Sequence, residues 1–175
     1  MAFKGDVYTG LNIETLKDTE YLQKHVRILS GLYGYLKPLD LIQPYRLEMG
    51  TKLRNAEGAN LYDFWNDRIG KALTNELAGH RNKSLINLAS NEYFKAVQAD
   101  KLARKVITPV FKDYSNGSYR VLSFFAKKAR GAMASFIVQN RINQPDDLKA
   151  FNEDGYTFNE GFSSEEQWVF TRKGL

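Results

Sequence analysis

Apolar residues recur along the chain at distinct spacings, and each spacing predicts a different element. Between residues 19 and 30, Leu22, Val26 and Leu29 fall on one helical face, with Thr19 suited to cap the start and Gly31 standing where a helix would stop. Between 60 and 78, Leu61, Phe64, Trp65, Ile69, Leu73 and Leu77 form a broad stripe behind a capping Asn60 and predict a second helix. From 127 to 142, the cluster of Ala126, Ala129, Met133, Phe136 and Ile137 predicts a third, with Lys127, Arg130 and Arg141 on one flank and Lys128 elsewhere. Shorter apolar runs predict strands at 45–49, 84–88, 105–114, 118–125, 156–158 and 167–172. Asn116-Gly117 marks a hairpin between two of them, and Pro109 places the first of that pair at an edge or a bulge. Short helices follow the polar Ala89-Ser90-Asn91-Glu92 and begin at Pro145, where acidic residues suit a helix start. The fold class expected is α+β, a single mixed domain over residues 1–175.

Composition narrows the class. At 175 residues, 43% hydrophobic and 13% aromatic, the chain has enough apolar material for a core. With no cysteine, disulfides, thiolate zinc sites and cysteine nucleophiles are excluded. No apolar run approaches membrane-spanning length, and MAFKGDVYTG does not read as a signal peptide, so a cytoplasmic setting without membrane contact is expected. The net charge of +5 is unevenly spread: Lys101 to Arg130 holds eight basic residues and one acid, Asp113, and Tyr114 to Pro145 holds no acid. Such a local excess fits either a polyanionic partner, nucleic acid above all, or a solvated basic face.

Candidate chemistry concentrates in residues 27–50, RILSGLYGYLKPLDLIQPYRLEMG. Gly31 and Gly34 can adopt backbone angles that gather N–H groups into a phosphate nest, with Lys37 and Arg46 adding charge; a helix-capping glycine followed by a loop is the alternative. The hairpin-helix region adds Lys112, Arg120, Lys127, Lys128 and Arg130, and basic groups at a helix start call for an anion or for nearby carboxylates. Of the adjacent Phe124 and Phe125, one can face the core and the other can stack on a base. Lys127 or Lys128 would serve as an amine nucleophile only if desolvated. His25 and His80 lie far apart in sequence, and neither a metal site, a cofactor site nor a catalytic signature is expected.

The blocks AFKGDVYTGL, RILSGLYGYLKPLDLIQPYRLEMG, LYDFWND, NLASNEYFKAV, VITPVFKD and SFFAKKARG, in this order, resemble the YaaA family of bacterial peroxide-stress proteins. The resemblance runs from Ala2 to about Arg172, and WVFTR resembles the family's closing strand. It implies an α+β domain of YaaA-like topology with a basic cleft and a helix-hairpin-helix element, binding DNA, duplex or partly unpaired, and limiting free iron and oxidative DNA damage. An enzyme acting on a nucleic acid or nucleotide in the same cleft is the alternative. The hairpin would be formed by Gly31 and Gly34, although two residues separate these glycines and Pro38 shortens the second helix. Lys4, Arg46, Lys95, Lys112, Lys127, Lys128 and Arg130 fall in the matching blocks and, with Gly31, Gly34 and Lys37, are the candidate DNA contacts. Family members carry a further segment before the AFKGDVYTG block, opening with a strand and a Ser-Pro-Ala-Lys turn. The chain is therefore expected to represent the C-terminal two-thirds of the family's length, an N-terminally truncated form.

Overall fold

The structure, a computed structural model, describes residues 3–173, so of the quoted blocks only Ala2 lies outside it. In chain order the described helices are α1 (Asp6–Leu11), α2 (Thr19–His25), α3 (Leu61–Trp65), α4 (Arg68–Ala78), α5 (Asn91–Phe94) and α6 (Ser123–Gln139). The strands are β1 (Ile28–Ser30), β2 (Gly34–Leu36), β3 (Leu85–Ile86), β4 (Val106–Ser115), β5 (Ser118–Arg120), β6 (Thr157–Phe158) and β7 (Gln167–Arg172). Helices and a mixed sheet make this an α+β protein. The chain divides into two compact units. The first contains the chain up to Tyr21, Ile86–Leu88 and the chain from Val106 onward; the second contains Leu22–Leu85 and Ala89–Lys105. Among the described residues, no helix is long and apolar enough to cross a membrane.

The first unit is built on the sheet β3-β4-β7-β6, of whose first strand it contains Ile86, with β5 paired to β4 from Asp113 onward. β4 runs parallel to β7, and β6 runs antiparallel to it. Along β4 the period of two is strict: Ile107, Pro109, Phe111 and Asp113 are buried while their neighbours are partly exposed. α6 lays Ala126, Ala129 and Met133 on this buried side, where Phe111, Phe151, Tyr156 and Phe170 complete the core. The Phe111 ring meets those of Phe151, Tyr156 and Phe170 at 5.8, 5.3 and 5.4 Å. Each such ring stabilises the fold by about 1.5–3 kcal/mol through burial, and the edge contacts among them add to it.

Two further features define this unit. Asp113, 1% exposed, accepts hydrogen bonds from the Tyr156 hydroxyl at 2.8 Å and from Arg172 Nε at 2.7 Å, so its buried charge is paired. Burial, then the bond to Asp113, pushes the Tyr156 hydroxyl well above the usual tyrosine range. α1 crosses α6 with almost no separation. A Cβ on Gly131 would stand 1.9 Å from the Val7 carbonyl oxygen, and one on Gly10 would stand 2.0 Å from that of Lys128.

The hairpin expected at Asn116-Gly117 is present, with both residues at positive φ of 51° and 80°, as a tight primed turn requires. Pro109 sits inside the sheet, yet its missing N–H costs no ladder bond. Thr108 donates to Glu166 on the β7 side, while β3 reaches only as far as the bonds from Leu85 to Lys105 and from Asn87 to Ile107. Pro109 faces the β3 side just past that point, so β4 is locally an edge there. The third expected helix is displaced: α6 opens at Ser123 and ends at Gln139, so Phe124 and Phe125 are helical and the strand expected at 118–125 ends at Arg120. Arg141, expected on a helical flank, lies past the helix end at φ 48° and pairs with Asp18 at 2.5 Å.

The second unit departs more from the sequence pattern. The helix expected over 19–30 ends at His25, because Ile28, Leu29 and Ser30 pair with Leu36, Tyr35 and Gly34. Cross-strand pairing wins over the helical spacing of Val26 and Leu29, helped by the β-branched Val26 and Ile28. The helix expected over 60–78 breaks at Asn66, whose φ of 41° is tolerated by an asparagine; α3 and α4 are the two pieces. The Asn60 side chain does cap α3, accepting from the Asp63 N–H at 3.0 Å. Residues 45–49 form no strand. They are held one by one instead, with the Tyr45 hydroxyl 2.6 Å from Ser30 Oγ and Met49 fully buried.

Candidate nucleic-acid interface

Gly31 and Gly34 occupy the turn of the β1–β2 hairpin, not the turn between two helices. The helix-hairpin-helix expectation fails here because strand pairing takes the residues that would end the first helix. Both glycines are buried, and packing accounts for each. A Cβ on Gly31 would lie 2.5 Å from the Leu47 carbonyl oxygen. Gly34, at φ 76°, would set one 2.7 Å from the Trp65 ring, whose Nε1 donates to the Gly31 carbonyl at 2.9 Å. The turn thus seats a tryptophan, and the Tyr33 N–H within it is taken by Ser30 Oγ at 2.9 Å.

The basic candidates of the second unit meet different fates. Lys37 follows β2 and pairs with Glu76 at 3.1 Å; Glu76 also binds Arg27. Arg27 first, then Lys37, hold the Glu76 carboxyl below its ordinary range. Lys95 lies 4.8 Å over the Tyr62 ring. Arg46 is exposed and forms no ion pair among the described residues. His25 and His80, remote in sequence, meet edge-to-face at 4.9 Å in this unit. Burial, then the charge of His25, lowers the His80 imidazole pKa. Among the described residues, no group of three or more His, Cys, Asp or Glu is placed to hold a metal. A shallow depression of about 420 Å³ between α4 and residues 97–102 is lined by Asp67, Lys71 and Lys101 among others, and by none of the candidates.

In the first unit the basic start of α6 finds the carboxylates it calls for. Lys127 lies 4.0 Å from Asp6 in the first turn of α1, and Lys128 lies 3.2 Å from Asp154. Their side chains are 47% and 43% exposed, the opposite of the desolvated setting that an amine nucleophile needs. Exposed pairs of this kind contribute about 0–1 kcal/mol and exchange partners readily. Lys4 is exposed ahead of α1.

Arg130 differs from both. It is partly buried, and its Nη1 donates to the carbonyl of Leu88, just after β3, at 3.4 Å while its Nε donates to that of Ala126 on α6 at 3.3 Å. Both are long bonds to neutral acceptors, and no carboxylate pairs with it among the described residues. Burial alone moves its pKa downward, because no acid is near enough to offset the lost hydration. A guanidinium held in this way can take a bidentate phosphate without first giving up an ion pair.

Sequence reasoning missed the Asp113–Tyr156–Arg172 triad, whose members are 43 and 59 residues apart. It also missed a row of exposed rings beside Lys112, where Tyr114 stands opposite Tyr119. The alternation of polar and apolar residues along 105–114 held the signal for the row.

Three relatives titled UPF0246 protein illustrate what the chain is similar to. That of Aliivibrio fischeri is 56% identical over 174 residues, covering 98% of this chain and 67% of the relative. That of Cellvibrio japonicus is 55% identical over 175 residues, covering 99% and 68%. That of Teredinibacter turnerae is 53% identical over 175 residues, with the same coverage of 99% and 68%. The chain thus spans about two thirds of these relatives' lengths. Residues 1–162 match the family described as peroxide stress protein YaaA, and the chain belongs to that family.

Proposed function

We propose that this protein binds DNA in the cytoplasm as part of a peroxide-stress response, limiting free iron and oxidative DNA damage. Binding is largely through phosphates and tolerant of sequence. The observation that carries the reading is Arg130, a partly buried guanidinium without an acidic partner among the described residues. Lys127 lies one turn before it on the same side of α6 and Lys128 on another side, and the carboxylate partners of both lysines sit at the surface where a phosphate can replace them. Lys4 and Lys112 in the first unit, and Arg46 and Lys95 in the second, are further proposed contacts. Family membership supplies the peroxide context.

Fluorescence anisotropy with a labelled duplex, repeated across a salt series, tests this. Affinity should fall as salt rises, by about 0.9 log units per log unit of salt for each phosphate neutralised. Arg130→Gln should weaken binding and reduce that slope by about one contact. Lys37→Gln, which removes a group already committed to Glu76, should change the slope far less. An affinity that stays flat with salt would refute phosphate binding.

A further inference from the structure

On the outer face of β4 and β5, three aromatic rings and one lysine share a surface. Tyr114 and Tyr119 are directly opposite in the antiparallel register, so they project to the same side, with rings 5.2 Å apart. Phe162 extends the row at 5.6 Å from Tyr119. Lys112, two residues before Tyr114 and therefore on its side of the strand, sets Nζ 5.5 Å from the Phe162 ring. Tyr114 is 46% exposed and Phe162 50% exposed, whereas the rings of Phe111 and Phe170 on the other side are fully buried. Single exposed aromatics are ordinary, but a contiguous row of three calls for an occupant.

The charge on the β4–β5 side of the row points to that occupant, whereas the Phe162 end carries Glu160 two residues before the ring. Lys112 forms no ion pair among the described residues. Asp113 points to the opposite face, buried on Arg172, and no acid occurs from Tyr114 through Pro145. Exposed rings beside a cation without a carboxylate partner among the described residues suit a base stacked on tyrosine with its phosphate on lysine. In a duplex the base faces are hidden by their neighbours, so such a surface takes unpaired nucleotides.

We infer that Tyr114, Tyr119, Phe162 and Lys112 form a stacking site for unpaired bases of DNA. The inference rests on the DNA-binding reading above and adds to it a site and a preference. The site gives no advantage to intact duplex and adds affinity where a strand is open.

The test compares the 175-residue chain with its Tyr114→Ala/Tyr119→Ala variant. Each is titrated by anisotropy against three probes: a labelled duplex, the same duplex with an unpaired bubble, and a single-stranded oligothymidine. Thermal melting verifies that the variant folds, and Tyr114→Phe/Tyr119→Phe keeps the rings as a second control. The double alanine variant should lose about tenfold or more on the bubble and the single strand and stay within about twofold of the parent on duplex, while the phenylalanine variant keeps the parent's affinities. Equal losses on all three probes, or no loss on any, would overturn the stacking site while leaving phosphate binding in place. Tight binding to open strands without measurable duplex binding would do the reverse. A parent chain that binds none of the probes would overturn both.

Discussion

Lys128 and Arg130 are two positions apart on one helix and meet opposite surroundings. The lysine reaches out to Asp154; the arginine turns to a neutral backbone carbonyl and loses water without gaining an acid. A count of charges along the chain sees both as equal positive residues, which is why the sequence could name them and not rank them. The histidines teach the same lesson from the other side. They are 55 positions apart in sequence and their rings are 4.9 Å apart in space, a proximity that no spacing rule reveals. That contact has a measurable sign. His80 is held below its unfolded value of 6.5, chiefly by burial and then by the positive charge of His25, Lys24 and Arg27. Glu76 pulls weakly the other way. As pH falls through the window just below 6.5, the unfolded chain binds the proton more readily than the folded one, so stability is lost. The melting temperature should therefore drop between about pH 7.5 and 5.5, and His80→Gln should make that drop shallower. Parallel melting curves for parent and variant over this range would show that His80 contributes nothing.

At the scale of elements, the contact of α1 with α6 shows how a propensity rule can reverse. Glycine inside a helix is normally a weakness, and exchanging it for alanine gains up to about 1 kcal/mol. Gly131 has the Val7 carbonyl oxygen where the new methyl would go. Gly131→Ala should destabilise the protein by about 1–3 kcal/mol, read as a lower urea midpoint. Gly79, at φ −79° with its nearest obstacle 3.5 Å away, should accept alanine with no loss. If the two alanine variants were equally stable, the helices would not be in the close contact described. The period-two pattern of β4, the Asn116-Gly117 turn and the apolar face of α6 were all legible because each is a local pattern serving a local element. The β1–β2 hairpin was not. Its residues hold a helical spacing by coincidence, and the cross-strand pairing that overrides it is backed by Trp65, 34 residues from the Gly31 carbonyl to which it donates.

For the molecule as a whole, composition indicated the class: a chain with a real core, no cysteine chemistry and an acid-poor basic stretch. What it could not show was how that stretch is divided. Part of it is neutralised by Asp6, Asp154 and Asp18, and the rest forms no ion pair among the described residues. Nor could it show that the contacts gather in two compact units. The chain has two tryptophans, and one falls in each unit. Trp65 leans on the β1–β2 turn in the second, while Trp168 is 5% exposed on β7 in the first, with the Lys149 ammonium 4.8 Å from its ring. Each unit thereby contains its own optical reporter. In Trp65→Phe the intrinsic fluorescence follows only the sheet, and in Trp168→Phe only the hairpin and its helices. During urea unfolding the Trp65 signal should change first, since Trp168 lies on a strand flanked on both sides and Trp65 is only partly buried. Coincident transitions would mean instead that the two cores melt as a single cooperative body.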